Sequence, residues 1–275
     1  MHDILGNYSD TQLVKTTIQA NWENYHYCLG KSPSVELSVG RYLTWLVTSM
    51  PDHFMNLVVC TELPSEGTNE IIKSALLHFK TLNILKLSWL AEEGVPALEM
   101  KESLLANGLT FRESFATEMA IDLGKLPINI SLPKGMKILQ VNNEEMLRKW
   151  IHAASVGFGI SHDVENIWFE FFNHATFSRP FSTYIALLND KPVGTSQLFT
   201  SAGVAGIYNV SSIPDARGQG VGTAITLAPL LEARKRGYRV GVLQASSMGY
   251  NVYRKLGFED FGKLSVFLWE NDADG

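Results

Sequence analysis

The chain has 275 residues, 45% of them hydrophobic and 19% charged, with a formal net charge of −5. This composition is typical of a globular protein with a sizeable core. The acidic balance argues against a nucleic-acid partner, since such proteins usually carry a basic excess. Cys28 and Cys60 form no C-x-x-C pair, so we expect reduced thiols and a cytoplasmic protein. The first residues lack a signal-peptide pattern, and the uncharged stretch 192–214 alternates like strands, so we expect no membrane segment.

The first half of the chain alternates between predicted strands and helices. Apolar runs predict strands at 55–63 and 82–91, and helical periodicity predicts a helix at 69–80. A second helix is predicted at 96–109, where proline stands at the start and glycine near the end. An extended segment then runs to Leu123.

The second half repeats this order after a linker or domain edge at 124–137, which holds two prolines and two glycines. The predicted elements are, in order, a strand at 204–213, a glycine-rich loop, a helix to Arg236, a strand at 238–246, a short helix ending before Gly257 and a strand at 263–270. Pro229 lies inside the first of these helices, where a kink is expected. The shared order predicts a faint internal repeat.

The stretch SSIPDARGQGVGTA, residues 211–224, is a candidate anion-binding loop. No lysine follows Gly222, which excludes a Walker A motif, and the spacing does not fit the dinucleotide fingerprint G-x-G-x-x-G. The stretch does fit R-x-x-G-x-G, with Arg217, Gly220 and Gly222. The unpaired amides at the start of the following helix suit a pyrophosphate. The alternative is a turn that uses glycine only for its backbone freedom, with Arg217 in solvent.

The run IYNVSSIPDARGQGVGTAITLAPLLEARKRGYRVGVLQASSMGYNVYRKLGF, residues 207–258, resembles the cofactor-binding half of the GNAT acyltransferase superfamily. The matching features are a strand followed by Pro214, the R-x-x-G-x-G loop, and then helix, strand and helix. Tyr253 stands four residues before Gly257. The resemblance implies an α/β fold with a mixed, splayed central sheet flanked by helices, and acetyl-CoA as cosubstrate.

The resemblance also implies which residues contact the cofactor and which one acts in catalysis. The pantetheine arm would pair with the strand backbone, the pyrophosphate would bind the loop, and Ser246 stands where family members often have asparagine. The cofactor-binding residues implied are Ser211, Ser212, Ile213, Arg217, Gly218, Gln219, Gly220, Val221, Gly222, Thr223 and Ser246. Tyr253 is the candidate catalytic acid, which would protonate the leaving thiolate; the alternative is a packed aromatic on an amphipathic helix. A backbone N–H near Ser212 or Ile213 would bind the oxyanion.

The general base is not identified by the sequence. The candidates are His162, Asp163, Glu165 and Tyr208. The structural reading is favoured for each, because residues 161–165 look like a helix N-cap with first-turn acids and Tyr208 suits a core. Three aromatic residues before the strand at 182–188 suit either an acceptor wall or the core: Trp168, Phe171 and Phe172. The histidines show no zinc-binding spacing, so we expect no metal.

These observations predict a tandem of two GNAT-like domains, a degenerate one at 1–130 and a catalytic one at 131–275. Aligning Gly108 with Gly257 gives an offset of 149, which places Leu104 at the position of Tyr253 and 68–73, without glycine, at the loop.

The sequence therefore favours an acetyl-CoA-dependent N-acetyltransferase acting by direct attack of a primary amine on a small molecule or peptide. The alternative is a non-catalytic acyl-CoA sensor or regulator, whereas a nicotinamide-dependent oxidoreductase is disfavoured by the glycine spacing. We expect a monomer with an internal pseudo-dimer, or a homodimer.

Overall fold

The protein is represented by a computed structural model that describes residues 4–60, 63–64, 66–92, 98–127 and 132–271. It has seven α-helices and eleven strands in this described part of the chain. They are α1 Thr11–Leu29, β1 Val35–Val39, β2 Leu43–Thr48, β3 Leu57–Cys60, α2 Thr68–Thr81, β4 Lys86–Glu92, α3 Leu98–Ala106, β5 Thr110–Asp122, β6 Met136–Gln140, α4 Glu144–Phe158, α5 Glu165–Thr176, β7 Phe181–Leu188, β8 Lys191–Ser201, β9 Val204–Ser212, α6 Val221–Lys235, β10 Val240–Ala245, α7 Ser247–Leu256 and β11 Glu259–Glu270. Short 3₁₀ turns lie at Leu123–Lys125, His162–Val164 and Pro214–Ala216.

The chain forms two compact units that do not follow the predicted division at residue 130. Unit 1 contains Met1–Ser32 and Glu118–Phe261, and unit 2 contains Pro33–Thr117 and Gly262–Gly275. The difference arises because α1 packs in unit 1 and the end of β11 pairs with β4 in unit 2. Each unit thus includes strand residues from the other half of the sequence. The ranges 1–130 and 131–275 stay a prediction about the repeat.

Unit 2 is a mixed sheet covered by helices α2 and α3. Its strand order is β1-β2-β3-β4-β11, in which β3 and β4 are parallel and the other neighbours are antiparallel. Its core includes Phe79 of α2, Trp89 of β4, Leu104 of α3 and Phe267 of β11. The predicted alternation of strand and helix in the first half of the chain is confirmed.

Unit 1 is a mixed sheet whose central strands separate. Its order is β5-β10-β9-β8-β7-β6, with antiparallel pairing from β6 to β9. The parallel strands β9 and β10 pair at Ala205 with Gly241 and at Gly206 with Val242, and the register ends there. Since β9 continues to Ser212, the edge that faces away from β8 is open beyond the last pair. The predicted splayed sheet is confirmed.

The two faces of this sheet carry different helices. Ile207 of β9 and Leu243 of β10 pack in the core that includes Leu230 of α6, whereas Val242 packs with Ile18 of α1. Because successive side chains on a strand point to opposite faces, α6 and α1 cover opposite sides of the diverging strands. The N-terminal helix is therefore a structural part of unit 1.

A buried polar network fastens α1 to β8 and β9. The hydroxyl of Tyr208 donates to Asn21 Oδ1 at 2.7 Å, and the hydroxyl of Tyr25 donates to Gln197 Oε1 at 3.1 Å. Asn209, a residue with φ of 51° at a register shift between β8 and β9, donates from Nδ2 to the Tyr25 oxygen at 2.8 Å. The Tyr25 and Tyr208 rings stack at 3.8 Å. Removing one of these side chains would leave buried polar atoms without partners, which is costly. The network therefore favours the docking of α1 in this position.

Helix α6 continues through Pro229, which is buried. Among the described residues, no helix combines the length and apolar character needed to cross a bilayer.

Candidate active site

The glycine loop leads from the end of β9 into the start of α6. Gly218 and Gly220 adopt left-handed backbone conformations, with φ of 75° and 80°. Gly220 is the N-cap of α6, and no side chain caps the helix. The first helical bond runs from the amide of Ala224 to the carbonyl of Gly220 at 3.0 Å. The earlier amides of the turn therefore lie at the positive end of the helix dipole, an arrangement that suits an anion.

Arg217 holds the glycine loop in place and brings a positive charge to it. Its Nη2 donates to the Gly157 carbonyl at the end of α4 at 2.9 Å, and its Nε donates to the Ser212 carbonyl at 3.3 Å. The first turn of α6 contains no acidic residue. Gln219 Nε2 donates to the carbonyl of Asp215 at 2.8 Å. Arg217 thus fixes the loop against β9 and α4 and adds positive charge beside it.

The three residues predicted to pair with pantetheine differ in their backbone contacts. The amide of Ile213 donates to the Val193 carbonyl at 3.0 Å, so the backbone groups of Ile213 face β8. Ser211 and Ser212 lie opposite Thr195 and Gly194 in the register of the two strands. Because neighbouring residues on a strand direct their backbone groups to opposite edges, Ser212 faces the open edge. A β-carbon built on Gly222 would lie 3.8 Å from Ser212 Oγ. Ser212 is therefore the one of the three that lies beside both the loop and the open edge.

Tyr253 lies on α7 and is buried, with 7% of its surface exposed. Its ring packs over Gly249, where a β-carbon would approach the ring to 2.8 Å. Its hydroxyl lies close enough to Thr226 for that side chain to lower its pKa, and Thr226 Oγ1 donates to the Gly222 carbonyl at 2.8 Å. The predicted acid and the predicted anion loop thus meet through one intervening side chain.

Burial raises the pKa of Tyr253 well above its usual value near 10, and the neighbouring Thr226 hydroxyl offsets only part of that rise. The phenol therefore stays protonated in the free protein and can donate a hydrogen bond. A phenol with a raised pKa is also a weaker acid, which widens the gap to a thiol with a pKa of about 8.5.

Ser246 has a structural role in the free protein. It is the N-cap of α7, and its Oγ accepts a hydrogen bond from the Gly249 amide at 3.3 Å. The sequence reasoning that assigned Ser246 to the cofactor missed this cap. Its predicted contact with the cofactor stays a prediction.

Gln244 on β10 is a polar residue that the sequence reasoning did not select. Both polar atoms of its carboxamide are buried and have no hydrogen-bond partner among the described residues. It lies two positions beyond Val242, the last residue of β10 that pairs with β9, and by strand alternation it shares the α1 face with Val242. A buried amide without partners costs free energy unless a ligand or water satisfies it. The available signal was one polar side chain in the apolar run VGVLQA.

The base candidates occupy different surroundings. Burial raises the pKa of Tyr208 well above 10, and its hydroxyl is engaged with Asn21, so it is poorly suited to accept a proton. Ser161 caps the 3₁₀ turn by accepting from the amide of Asp163, which agrees with the predicted N-cap. His162 and Glu165 contact each other at 2.6 Å.

The aromatic residues of α5 belong to the core. Trp168, Phe171 and Phe172 are each 1% exposed and make edge-to-face contacts with one another or with Trp150. Of the two readings allowed by the sequence, burial favours packing over an acceptor wall.

Comparison with known protein families identifies the loop and its surroundings. Residues 179–260 match the family described as the Acetyltransferase (GNAT) domain. The chain contains a GNAT acetyltransferase domain. The matched range includes β9, the glycine loop, α6 and Tyr253, so the predicted family is confirmed, and acetyl transfer is its general reaction class. No curated protein matches the sequence.

Solved structures show the same fold along most of the chain. A GCN5-related N-acetyltransferase from Kribbella flavida is 19% identical with a TM-score of 0.66, covering 94% of this chain and 96% of that one. One from Sphaerobacter thermophilus is 15% identical with a TM-score of 0.63, covering 94% and 91%. A tandem GNAT protein from the clavulanic acid biosynthesis pathway is 13% identical with a TM-score of 0.60, covering 98% and 97%. The predicted fold, a tandem GNAT architecture, is confirmed.

Proposed function

We propose that this chain is an acetyl-CoA-dependent N-acetyltransferase that acetylates a primary amine of a small molecule or peptide by direct attack. The observation that carries the proposal is the connection from the amide-lined loop through Gly222 and Thr226 to the phenol of Tyr253. An anion-binding helix start and a protonated phenol at one open strand edge suit a thioester with a pyrophosphate tail.

The residues that would hold acetyl-CoA divide into two groups. The amides of Gly218 to Thr223 and the charge of Arg217 would bind the pyrophosphate. The carbonyl of Ser212 would accept from a pantetheine amide, because it faces the edge that β10 leaves open. When bound, acetyl-CoA supplies an activated acetyl group as a thioester.

Two groups of the chain would serve the transition state. The N–H of Ser212 would donate to the developing oxyanion, since the Ile213 amide is already bonded to Val193. Tyr253 would donate its proton toward the leaving sulfur. Because burial keeps this phenol protonated, the donor is ready at neutral pH, and positioning by Gly249 and Thr226 must offset its weak acidity.

Gln244 would contribute a further polar contact in this cleft. Its carboxamide offers two donors and one acceptor, and the described chain satisfies none of them. An acetyl carbonyl or an acceptor amine is the kind of group that could complete it. Such a hydrogen bond would favour binding of acetyl-CoA, or of acetyl-CoA with its acceptor, over binding of an apolar ligand.

Thermal shift with acetyl-CoA, CoA and NAD in parallel tests the cofactor. We expect acetyl-CoA and CoA to raise the melting temperature, and stabilisation by NAD alone would refute the proposal. A thiol-release assay with acetyl-CoA and a library of amines then tests the reaction. Binding without release of thiol for every amine would favour the sensor alternative.

A further inference from the structure

A cluster of two histidines and one glutamate lies where α4 passes into α5. His152 is on α4, His162 is in the 3₁₀ turn that follows, and Glu165 begins α5. One ligand atom from each of these residues lies within 4.8 Å of the other two. The residues are spaced H-x₉-H-x₂-E in the sequence, a pattern that matches no common zinc motif and that gave no signal before folding.

The contacts of the cluster converge on one oxygen. Nδ1 of His152 lies 3.1 Å from Glu165 Oε1, and Nδ1 of His162 lies 2.6 Å from the same atom. Ser155 Oγ also donates to it at 2.6 Å. A carboxylate oxygen has about two lone-pair sites, so three polar atoms within 3.1 Å crowd it. A cation bound by the two nitrogens and the carboxylate would relieve this crowding, and Ser155 Oγ would keep a partner in the His152 carbonyl at 2.9 Å.

The ligand atoms lie slightly closer together than they would around a bound first-row divalent ion. Zinc binds histidine nitrogen and carboxylate oxygen at about 2.0–2.2 Å, so the ligand atoms of a tetrahedral site are separated by about 3.3–3.6 Å. The His152 contact of 3.1 Å and the His162 contact of 2.6 Å are both shorter than this, so each nitrogen would move away from the carboxylate oxygen to admit the ion, which the exposed histidine side chains allow. The imidazole rings are nearly parallel, 16° apart, with centroids separated by 5.1 Å.

The site is open to solvent on the histidine side and anchored on the glutamate side. The side chains of His152 and His162 are 57% and 64% exposed, whereas that of Glu165 is 25% exposed. Each histidine can move its proton from Nδ1 to the exposed Nε2 when Nδ1 becomes a ligand, so binding needs no charged imidazole.

We propose that His152, His162 and Glu165 form a binding site for Zn²⁺ or a comparable first-row divalent cation, with the remaining positions filled by water. The site uses two imidazole nitrogens and one carboxylate, a donor set suited to such ions. A bound ion would fasten the turn between α4 and α5. The carbonyl of Gly157, near the end of α4, holds Arg217 of the glycine loop, so the ion would support one wall of that loop.

Titration calorimetry with ZnCl₂ tests the site on metal-free protein without a histidine tag. We expect one saturable site per chain, and a visible absorption band when Co²⁺ replaces Zn²⁺. His152→Ala and His162→Ala should each weaken zinc binding at least tenfold. His174→Ala, which removes another exposed histidine of α5, should leave the affinity unchanged.

Circular dichroism checks that the variants fold, which is expected because both histidine side chains are largely exposed. The absence of a saturable site in the wild type, or equal affinity in the His152 and His162 variants, would overturn the proposal. The readout is metal binding alone, so its outcome is independent of acetyl transfer.

Discussion

The segment β9–α6–β10–α7 in unit 1 and the segment β3–α2–β4–α3 in unit 2 share a backbone plan but differ in chemistry. In each, two parallel strands flank a helix that begins with a left-handed glycine as N-cap and no side-chain cap. These glycines are Gly220, with φ of 80°, and Gly67, with φ of 82°. The predicted offset of 149 is therefore wrong at the loop, where the true offset is 153, because insertions shift the register.

The two helix starts differ in charge. Counting from the glycine, the third residue of α6 is Thr223, whereas the third residue of α2 is Glu70. Glu66 also precedes Gly67. Since carboxylates near a helix N-terminus compensate the same dipole that would attract an anion, the start of α2 is unsuited to a pyrophosphate despite its glycine.

The second helices differ at one buried position. Gly257 donates to Arg254 O and Phe258 donates to Tyr253 O, and in unit 2 the matching bonds run from Gly108 to Leu105 O and from Leu109 to Leu104 O. The offset of 149 holds here, so Leu104 occupies the position of Tyr253, as predicted. The two segments therefore share backbone geometry but not the charge and the phenol on which the proposed acetyl-CoA site of unit 1 depends.

Removing the Tyr253 hydroxyl gives unit 1 an apolar side chain at this position, as Leu104 gives unit 2. Tyr253→Phe should lower turnover by about 1,000-fold, within the range for loss of a general acid, while acetyl-CoA affinity stays within about twofold. Thiol release measures turnover with the best amine from the library, and calorimetry measures affinity. Equal turnover in the variant would remove Tyr253 from the mechanism.

Exchanging the residues at the helix starts tests the charge difference. Thr223→Glu gives α6 the acid that α2 carries, and we expect acetyl-CoA affinity to fall about 100-fold, about 2.7 kcal/mol. The fold should be retained, because Thr223 is exposed and an acid in the first turn favours the helix dipole. The matched control is Glu70→Thr, which should leave the affinity unchanged. Unchanged affinity in Thr223→Glu would place the pyrophosphate elsewhere.

Acid should destabilise unit 1 through a buried histidine of α1. Burial lowers the pKa of His26 to about 4, and its hydrogen bond with the Trp22 carbonyl offsets only part of this. The unfolded chain takes up a proton near pH 6.5 and the folded one near pH 4, so stability falls as pH drops between these values. The slope is at most about 1.4 kcal/mol per pH unit. Amide hydrogen exchange measures the stability of each unit as a function of pH. His26→Gln should flatten the pH dependence in unit 1. An unchanged dependence in this variant would contradict the assignment to His26.

Replacing Gln244 should raise the stability of the free protein and lower its affinity for acetyl-CoA. Gln244→Met removes two buried unpaired polar atoms at similar volume, so the free protein should become more stable by about 1 kcal/mol. Acetyl-CoA, alone or with its acceptor, should bind about fivefold more weakly. Melting temperatures with and without ligand measure both effects. A variant that is less stable and binds normally would show that Gln244 is only a packing residue.

Much of the fold was predictable from the sequence because its signals are local. Apolar periodicity located α2 and β4, and the glycine that ends α7 was visible at Gly257. The site was partly predictable for the same reason, since the loop and Tyr253 lie in one continuous stretch. No local pattern indicated that α1 belongs to unit 1, because this depends on contacts such as the one between Asn21 and Tyr208, which are 187 positions apart. The correspondence between Gly67 and Gly220 was missed because a fixed offset cannot follow insertions.

Calorimetric titration of the full chain with acetyl-CoA tests the proposed cofactor site most directly. We expect one binding site per chain, because among the described residues only unit 1 combines an uncapped helix start without acids and a nearby phenol. The same stoichiometry and affinity are expected for Gly67→Ala, which alters the equivalent glycine of unit 2. Two sites per chain, no binding, or loss of binding in Gly67→Ala would contradict this expectation.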